Sequence, residues 1–284
     1  MSVKFAHVVN PVKVAPSSDL HIAQPITFES MRVAQQLAVT FSIPVELCAV
    51  NFPEDDEIVP AFFGCRKHLE RSVLDVGTFS IPRKLPLIKD ILDRATAATN
   101  ADYIIYSNVD IAVVPHFYLS LDSIVSEGWD AFMITRRTLA KNYTTPAQLW
   151  RMYSDIGDRH PGNDCFVFPR EAYANYHFGD ACIGARGFAK VLGINLIVHA
   201  QRFQHFKELH LTFHIGDDRI WDDDKYADYS KHNLNIARQV LQRFSQQLGT
   251  VAGNPLIDRW LPKLAPELSR TYNRTARSQP RNPP

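Results

Sequence analysis

The fold is decided by residues 102–111, which read DYIIYSNVDI. An apolar run of this length, followed by polar residues, is typical of a strand that is buried on both faces of a parallel sheet. A strand-like run at residues 3–10 and a helical pattern before residue 102 place the segment in an alternating order of strands and helices. We therefore predict an α/β fold with an open, mostly parallel sheet that is flanked by helices.

The rest of the chain continues this alternation. Apolar residues at helical spacing predict helices at 27–38, 85–98, 117–126, 185–192 and 225–248. Short β-rich or alternating runs predict strands at 44–51, 131–135, 165–168, 195–198 and 209–213. The last helical pattern predicts a C-terminal helical extension to the sheet over residues 225–272.

The composition is that of an ordinary globular protein. The 284 residues are 45% apolar and 21% charged, and the formal net charge is +1. A net charge near zero predicts no general attraction to nucleic acid. The four cysteines form no C-x-x-C pair, which gives no support for zinc ribbons or redox motifs. Cys48 and Cys165 lie in apolar runs, where we expect buried, reduced thiols.

Two patterns bear on the location of the protein. The sequence contains no run of 18 apolar residues, and its first residues, MSVKF, lack the pattern of a signal peptide. We expect a cytoplasmic protein. Residues 273–284 are basic and rich in proline without apolar periodicity, which predicts a disordered tail suited to peripheral contact with an anionic membrane. The sequence leaves the oligomeric state open.

Asn108 and Asp110 come directly after the predicted strand at 102–107. In open α/β sheets, ligands bind beyond the carboxyl ends of the strands. Residues i and i+2 of an extended chain project to the same side, so an amide oxygen and a carboxylate would face one ligand. Oxygen donors of this kind suit Mg²⁺ or Mn²⁺. The alternative is a strand-end turn capped by Asn and Asp, which is a common use of these residues.

Two neighbouring segments, 81–92 and 102–111, resemble those of GT-A-type glycosyltransferases, in which a helix precedes a strand that ends in a DxD-type motif. Asn108 stands where that motif has its first aspartate. The resemblance extends through 160–170, which is similar to the acceptor-side segment of related transferases. It continues to 209–218, which is similar to the histidine segment that completes the metal site.

The resemblance implies a metal-dependent transferase that moves a sugar from a nucleotide-sugar donor, such as a UDP-sugar or GDP-sugar, to a hydroxyl acceptor. The acceptor would be a glycan, a glycolipid or a small molecule, bound with the donor by a GT-A-like domain over residues 1–224. The resemblance also implies Mn²⁺ or Mg²⁺ at Asn108 and Asp110. His214 is the candidate for a third ligand, and His210 is its competitor, because an extended run would turn both to one side.

Transfer with inversion needs a general base that takes the proton of the acceptor hydroxyl. Asp164 is the first candidate, because the preceding Gly162 lets the backbone approach a ligand closely. Asp180 is the second candidate, and its alternative role is to cap the helix that follows.

Three basic residues are candidates for contact with the diphosphate or the base of the donor. Arg83 and Lys84 precede the helix that leads to the central strand, and Arg136 follows the strand at 131–135. Arginine is well suited to forked phosphate contacts. The alternative for all three is an ordinary solvated position at the end of a helix or strand.

Two other functions fit part of the pattern. A sugar-nucleotide nucleotidyltransferase shares the sheet and the metal, but it carries a glycine-rich basic segment near its first strand, and residues 8–13 contain no glycine. A catalytically inactive GT-A-like binding protein is favoured by Asn108 and disfavoured by His214 and Asp164. Neither G-x-x-x-x-G-K-[ST] nor G-x-G-x-x-G occurs, which excludes P-loop and ordinary dinucleotide sites.

Overall fold

The structure is a computed structural model that describes residues 2–216, 223–269 and 272. The predicted tail at 273–284 and the last two residues of the histidine segment, 217 and 218, lie outside the described residues. No helix in the described part of the chain combines the length and the apolar character needed to cross a membrane.

The chain forms two compact units that are interleaved in sequence. The first unit comprises Met1–Glu70, Asp90–Ala174 and Gln201–Ile220, and the second comprises Arg71–Lys89, Asn175–Ala200 and Trp221–Pro284. Each unit is made of three segments that are far apart in the sequence. The sequence alone instead predicts a ligand-binding domain over residues 1–224 and a helical extension over 225–272, and this division stays a prediction.

The strands and helices have the following bounds. The strands are β1 (Phe5–Val9), β2 (Val45–Asn51), β3 (Cys65–His68), β4 (Tyr103–Ser107), β5 (Ala112–Val113), β6 (Ala131–Ile134), β7 (Arg137–Leu139), β8 (Asp158–Arg159), β9 (Cys165–Pro169), β10 (Phe203–Phe206) and β11 (Thr212–Ile215). The helices are α1 (Leu20–Thr40), α2 (Ile88–Ala98), α3 (Phe117–Ser126), α4 (Leu149–Tyr153), α5 (Phe188–His199), α6 (Ala227–Arg243) and α7 (Pro255–Leu264).

The first unit contains two sheets. Among the described residues, seven strands form one sheet in the order β10-β6-β9-β4-β1-β2-β3, and four form a second in the order β5-β11-β7-β8. Neighbouring strands of the large sheet are parallel except where β9 pairs with β4 and β6. The predicted α/β fold with an open, mostly parallel sheet is confirmed.

The core of the first unit explains why β4 can end in polar residues. All five residues of β1 are buried, and Ile104, Ile105 and Tyr106 of β4 are fully buried as well. Helices α1 and α3 pack apolar side chains against this part of the sheet, including Ile26 and Phe117. Each large apolar side chain buried in this way contributes about 1.5–3 kcal/mol. The packed strands therefore hold the residues that follow them in fixed positions.

Two sequence predictions of secondary structure are wrong. The predicted strand at 195–198 belongs to helix α5, where the Asn195 amide donates a hydrogen bond of 2.8 Å to the Val191 carbonyl. Helix α5 is buried on almost every side, and an apolar segment of that kind has no periodicity by which helix and strand can be told apart. The predicted strand at 209–213 begins three residues later, at Thr212.

In the second unit, two side chains of α6 hold the preceding segments in place. Tyr229 stacks on Phe79 with ring centroids 4.0 Å apart, and its hydroxyl donates to the Ile81 carbonyl at 2.7 Å. Asn233 accepts from the Cys182 backbone N–H at 2.9 Å and donates to the Cys182 carbonyl at 2.8 Å. The unit is thus organised by polar contacts from one helix to loop backbone as well as by its apolar packing.

A buried polar chain lies under the carboxyl end of β4. His7 of β1 is fully buried; its Nδ1 lies 2.9 Å from the Tyr118 hydroxyl, and its Nε2 lies 2.8 Å from the Ser107 hydroxyl. Burial lowers the pKa of His7 to about 3 from its ordinary value of 6.5. The imidazole is therefore neutral in the folded protein at neutral pH, and it ties α3 to the last residue of β4.

This buried histidine predicts a loss of stability in acid. The unfolded chain binds a proton at His7 near pH 6.5, whereas the folded protein resists protonation down to about pH 3. The contribution of His7 to the free energy of unfolding is therefore present above pH 6.5. It is lost as the pH falls below 6.5, at up to about 1.4 kcal/mol per pH unit. We expect His7→Gln, which retains hydrogen-bonding capacity, to show a flatter pH dependence of the free energy of unfolding in urea. Equal slopes in the variant and the wild type would contradict a neutral, buried His7.

Candidate functional site

The turn after β4 carries the first two candidate residues. The Ile111 backbone N–H donates to the Asn108 carbonyl at 3.1 Å, which closes a turn over residues 108–111. Val109 and Ile111 are buried, whereas Asn108 and Asp110 are only partly buried. The expected extended geometry for this pair is therefore wrong, because both residues lie in a turn after the strand. Their role as ligands stays a prediction, and both side chains are partly exposed.

Strand β11 brings His214 to this turn. It pairs with β5 so that Phe213 lies opposite Ala112, two residues after Asp110. His214 Nε2 lies 3.1 Å from Asp110 Oδ2, and His214 Nδ1 lies 2.7 Å from the Gly216 carbonyl oxygen. Gly216 has a φ of +75°, a conformation that residues with a side chain rarely adopt. The glycine thus places its own carbonyl on one nitrogen of the imidazole.

These contacts determine which nitrogen of His214 carries a proton. A backbone carbonyl oxygen only accepts hydrogen bonds, so we infer that Nδ1 is the protonated nitrogen. In a neutral imidazole, Nε2 then presents a lone pair to Asp110, whose ionised carboxylate also only accepts. The pair at 3.1 Å is attractive only when a positive charge is present, either as a second proton on His214 or as a cation that both groups bind.

The pKa values of the pair express the same constraint. Burial acts to raise the pKa of the Asp110 carboxyl, but the charge and hydrogen bond of His214 and the charge of Arg136 outweigh it, and the pKa lies below its ordinary value. Burial acts to lower the pKa of His214, but the charge and hydrogen bond of Asp110 outweigh it, and the pKa is raised. Each group therefore favours the charged form of the other.

The second oxygen of Asp110 supplies a test of whether a cation fits. Oδ1 is buried and has no hydrogen-bond partner among the described residues, although a quarter of the side chain as a whole is exposed. A buried carboxylate oxygen without a partner is costly, and such an atom calls for an ion or a water molecule. The carboxylate of Asp110, the imidazole of His214 and the amide of Asn108 form a donor set that suits Mn²⁺ or Mg²⁺. These residues fit a divalent cation.

A second cluster contains Arg136, Asp164 and His160. Arg136 Nη1 lies 2.7 Å from Asp164 Oδ2, and Arg136 Nη2 lies 3.2 Å from His160 Nε2. All three side chains are about nine-tenths buried. A side chain at Gly162 would place its Cβ 2.6 Å from the His160 ring and would therefore displace the ring. Gly162 therefore leaves room for the His160 ring. The sequence alone does not predict His160 as a site residue.

The two clusters adjoin one another. Strand β9 runs antiparallel to β4 with Cys165 opposite Ser107, and the Asn108 backbone N–H donates to the Asp164 carbonyl at 3.3 Å. The charge of Arg136 also reaches both members of the Asp110–His214 pair. The first unit thus brings together five candidate residues from the sequence: Asn108, Asp110, Arg136, Asp164 and His214.

The other candidates belong to the second unit. The Arg83 guanidinium lies over the Tyr226 ring, 4.3 Å from its centroid, and the Arg83 backbone N–H donates to the Tyr229 hydroxyl at 2.8 Å. Lys84 is exposed. Asp180 is about half exposed and lies 3.7 Å from Arg71. Helix α5 begins at Phe188 after Gly187, so Asp180 does not cap it, and that alternative is wrong.

His210, the competitor of His214, has a different environment. It precedes β11, and its Nε2 is buried with no hydrogen-bond partner among the described residues. Burial and the charges of Arg137 and His116 lower its pKa. Only His214 lies inside the strand, so the expected extended run over both histidines is wrong. His214, rather than His210, contacts Asp110.

A shallow groove opens on the surface of the first unit, next to the small sheet. It has a volume of about 450 Å³ and is lined by Tyr143, Arg151, Ser154, Asp155, Ile156 and Gly157. The Tyr143 hydroxyl donates to Asp155 at 3.1 Å, and neighbouring Trp150 is 70% exposed. The chain runs from this groove through β8 directly to His160. Polar groups beside an exposed aromatic ring suit a ligand that offers both hydroxyls and an apolar face.

No protein-family profile and no curated protein matches the chain. Solved structures do match. S. aureus TarS 1–349 in complex with UDP is 12% identical, with a TM-score of 0.49 over 96% of this chain and 88% of that chain. The same fragment in complex with UDP-GlcNAc is 9% identical, with a TM-score of 0.44 and the same coverage. GalNAc-T7 with UDP, GalNAc and Mn²⁺ is 13% identical, with a TM-score of 0.49 over 96% of this chain and 55% of that chain.

The buried ion pair predicts a large loss of stability when its carboxylate is removed. Asp164→Asn removes one carboxylate from the buried pair with Arg136, and the loss of one partner of a buried pair costs up to about 3–5 kcal/mol. The exposed pair of Arg159 and Glu208, 2.6 Å apart, provides a matched control, and Glu208→Gln should cost less than about 1 kcal/mol. Urea unfolding of both variants measures the difference. Equal losses would show that the Arg136–Asp164 pair is as well solvated as the surface pair.

Proposed function

We propose that this chain is a glycosyltransferase, which moves a sugar from a nucleotide-sugar donor to a hydroxyl acceptor with the help of a divalent cation. The observation that carries the proposal is the Asp110–His214 pair. One carboxylate oxygen is buried without a partner, and the other faces an imidazole nitrogen at 3.1 Å. Such a pair at the mouth of a central strand is suited to hold a cation against a phosphorylated ligand.

Asp110 and His214 would hold the cation, and Asn108 would hold it or the ribose of the donor. The hydrogen bond from His214 Nδ1 to the Gly216 carbonyl orients the imidazole and keeps Nε2 available as a ligand atom. When bound, a divalent cation stabilises the negative charge that develops on the departing diphosphate. The contribution of the residues themselves would be to hold the cation in a fixed position, so that no rearrangement is needed during the reaction.

Asp164 is the proposed general base. The acceptor oxygen attacks the anomeric carbon, the bond from that carbon to the diphosphate oxygen breaks, and the hydroxyl proton passes to the Asp164 carboxylate. Arg136 and His160 fix the position of this carboxylate, with Arg136 Nη1 2.7 Å from Oδ2. The polar groove beside β8 is the proposed place for the acceptor, because the loop that lines it leads to His160.

Arg83 and Lys84 remain proposed contacts for the donor, and Asp180 remains the second candidate for the base. Arg83 is the stronger candidate of the two basic residues, because its guanidinium is held over the Tyr226 ring. Stacked guanidinium groups keep their forked donors available for phosphate. UDP with Mn²⁺ is the first combination to test, because UDP is present in the TarS and GalNAc-T7 structures and Mn²⁺ in the latter, and a GDP-sugar is the second donor class.

One assay separates the proposed function from its rivals. The protein is incubated with nucleotide-sugars and Mn²⁺, and the products are identified. Release of a nucleoside diphosphate supports a transferase, and consumption of pyrophosphate with formation of a nucleoside triphosphate supports a nucleotidyltransferase. Binding without turnover, under conditions in which both substrates are saturating, supports an inactive binding protein.

Asp110 should be essential for metal-dependent donor binding. We expect Asp110→Asn to weaken UDP binding in the presence of Mn²⁺ by at least about tenfold, because the amide keeps the shape of the side chain but loses its charge. Isothermal calorimetry with and without Mn²⁺ measures the effect. Asp180→Asn, which alters a half-exposed carboxylate of the second unit, is the control and should bind as the wild type does. Unchanged affinity in Asp110→Asn would refute the metal site.

Turnover should distinguish the two candidate bases. At saturating donor, we expect Asp164→Asn to lower kcat by about 10²–10⁴-fold, because Asn retains hydrogen bonding but does not accept a proton. Asp180→Asn should retain nearly full activity. The assay must be run well below the melting temperature of Asp164→Asn, since this variant is also expected to be less stable. An active Asp164→Asn with an inactive Asp180→Asn would reverse the assignment, and two active variants would indicate a retaining mechanism.

A further inference from the structure

A group of potential metal ligands lies outside the candidate active site. Cys48 of β2 and Cys65 of β3 are direct partners in the register of these parallel strands. Glu46 precedes Cys48 by two residues on β2 and therefore projects from the same face of the sheet. One ligand atom from each of the three side chains lies within 4.8 Å of the others. Both thiols are reduced and buried.

We propose that Glu46, Cys48 and Cys65 bind a thiophilic divalent cation of the Zn²⁺ or Cd²⁺ class. Thiolates select such ions over Mg²⁺ and Mn²⁺, which prefer oxygen ligands. A tetrahedral Zn²⁺ with sulfur at about 2.3 Å holds its ligand atoms roughly 3.5–4 Å apart. The three ligand atoms lie within 4.8 Å of one another, so small side-chain rotations bring them to these separations.

The surroundings of Glu46 favour this arrangement. The Thr99 hydroxyl donates to Glu46 Oε2 at 2.6 Å, and Lys4 Nζ lies 3.8 Å from the same oxygen. Both contacts fall on Oε2 and hold the carboxylate in place, and we assign Oε1 as the oxygen that binds the cation. Hydrogen bonds of this kind to a liganding carboxylate tune the affinity of a metal site.

The charges in this site also balance. Two thiolates and one carboxylate around a divalent cation leave a net charge of −1, and Lys4 supplies one positive charge beside Glu46. Lys4 also donates to Asn100, which keeps its ammonium group in place when the cation binds. Each thiol gives up its proton as its bond to the metal forms, so binding of one ion releases two protons from the cysteines.

The proposed cysteine site lies apart from the Asp110–His214 pair, and solvent reaches it from the side of Glu46. β3 is the edge strand of the large sheet, and β2 and β1 separate it from β4, which leads to Asp110. Glu46 has a side chain that is about one-quarter exposed, so water can fill the fourth position of the metal. The sequence contains no C-x-x-C motif, and the register of two strands brings together cysteines that are far apart in the chain.

The proposal is tested by titrating the metal-free, reduced full-length protein with Cd²⁺ and recording the ultraviolet charge-transfer absorption of cadmium–thiolate bonds. We expect one equivalent of Cd²⁺ to produce the absorption and Zn²⁺ to compete it away. Cys48→Ser and Cys65→Ser should abolish it. Glu46→Gln, which leaves both buried thiols in place and so avoids a change in the core, should weaken binding by at least about tenfold.

Two controls make the result specific. Cys182→Ser removes a buried thiol of the second unit and should leave the titration unchanged. Asp110→Asn removes the proposed Mn²⁺ ligand and should also leave it unchanged, because oxygen ligands give no thiolate absorption. The proposal would be overturned by a wild-type protein that shows no thiolate absorption with Cd²⁺. It would also be overturned if the two single variants Cys65→Ser and Glu46→Gln both bound Cd²⁺ as tightly as the wild type.

Discussion

The candidate site depends on a single constraint at the imidazole of His214. Its Nδ1 faces a backbone carbonyl and its Nε2 faces a carboxylate, and neither oxygen can donate a proton. The arrangement is stable only when a positive charge lies between His214 and Asp110. A proton shared by the two groups meets this constraint, which agrees with the raised pKa of His214 and the lowered pKa of Asp110. A divalent cation bound by both groups is the alternative that we propose.

The topology explains how this pair comes to lie beside a second charged cluster. Strand β9 inserts antiparallel into an otherwise parallel sheet, and its start places Asp164 next to Asn108. The pair of Arg136 and Asp164 is buried, and a buried ion pair adds little net stability because desolvation offsets the attraction. The effect of this ion pair is to position its groups, since it holds a carboxylate and a guanidinium at a fixed distance from the turn that carries Asp110.

Part of this account could be predicted from the sequence. The apolar run of β4 identified the centre of the sheet, and the polar residues after it identified Asp110, because strand ends are local features of a chain. His160 could not be identified in this way, since its contact with Arg136 depends on how two loops fold against each other. Helix α5 was mistaken for a strand over 195–198, because burial on all sides removes its periodicity. The pairing of Cys48 with Cys65 likewise depends on strand register, which short segments do not reveal.

The most direct test of the central claim is a crystal structure of the protein with UDP and Mn²⁺, measured at a wavelength where manganese scatters anomalously. The account predicts an anomalous peak within coordination distance of an Asp110 carboxylate oxygen and His214 Nε2, with the UDP diphosphate bound to the same ion. A UDP molecule bound elsewhere, or an Asp110–His214 pair that remains in direct contact at saturating Mn²⁺ without an anomalous peak, would contradict it.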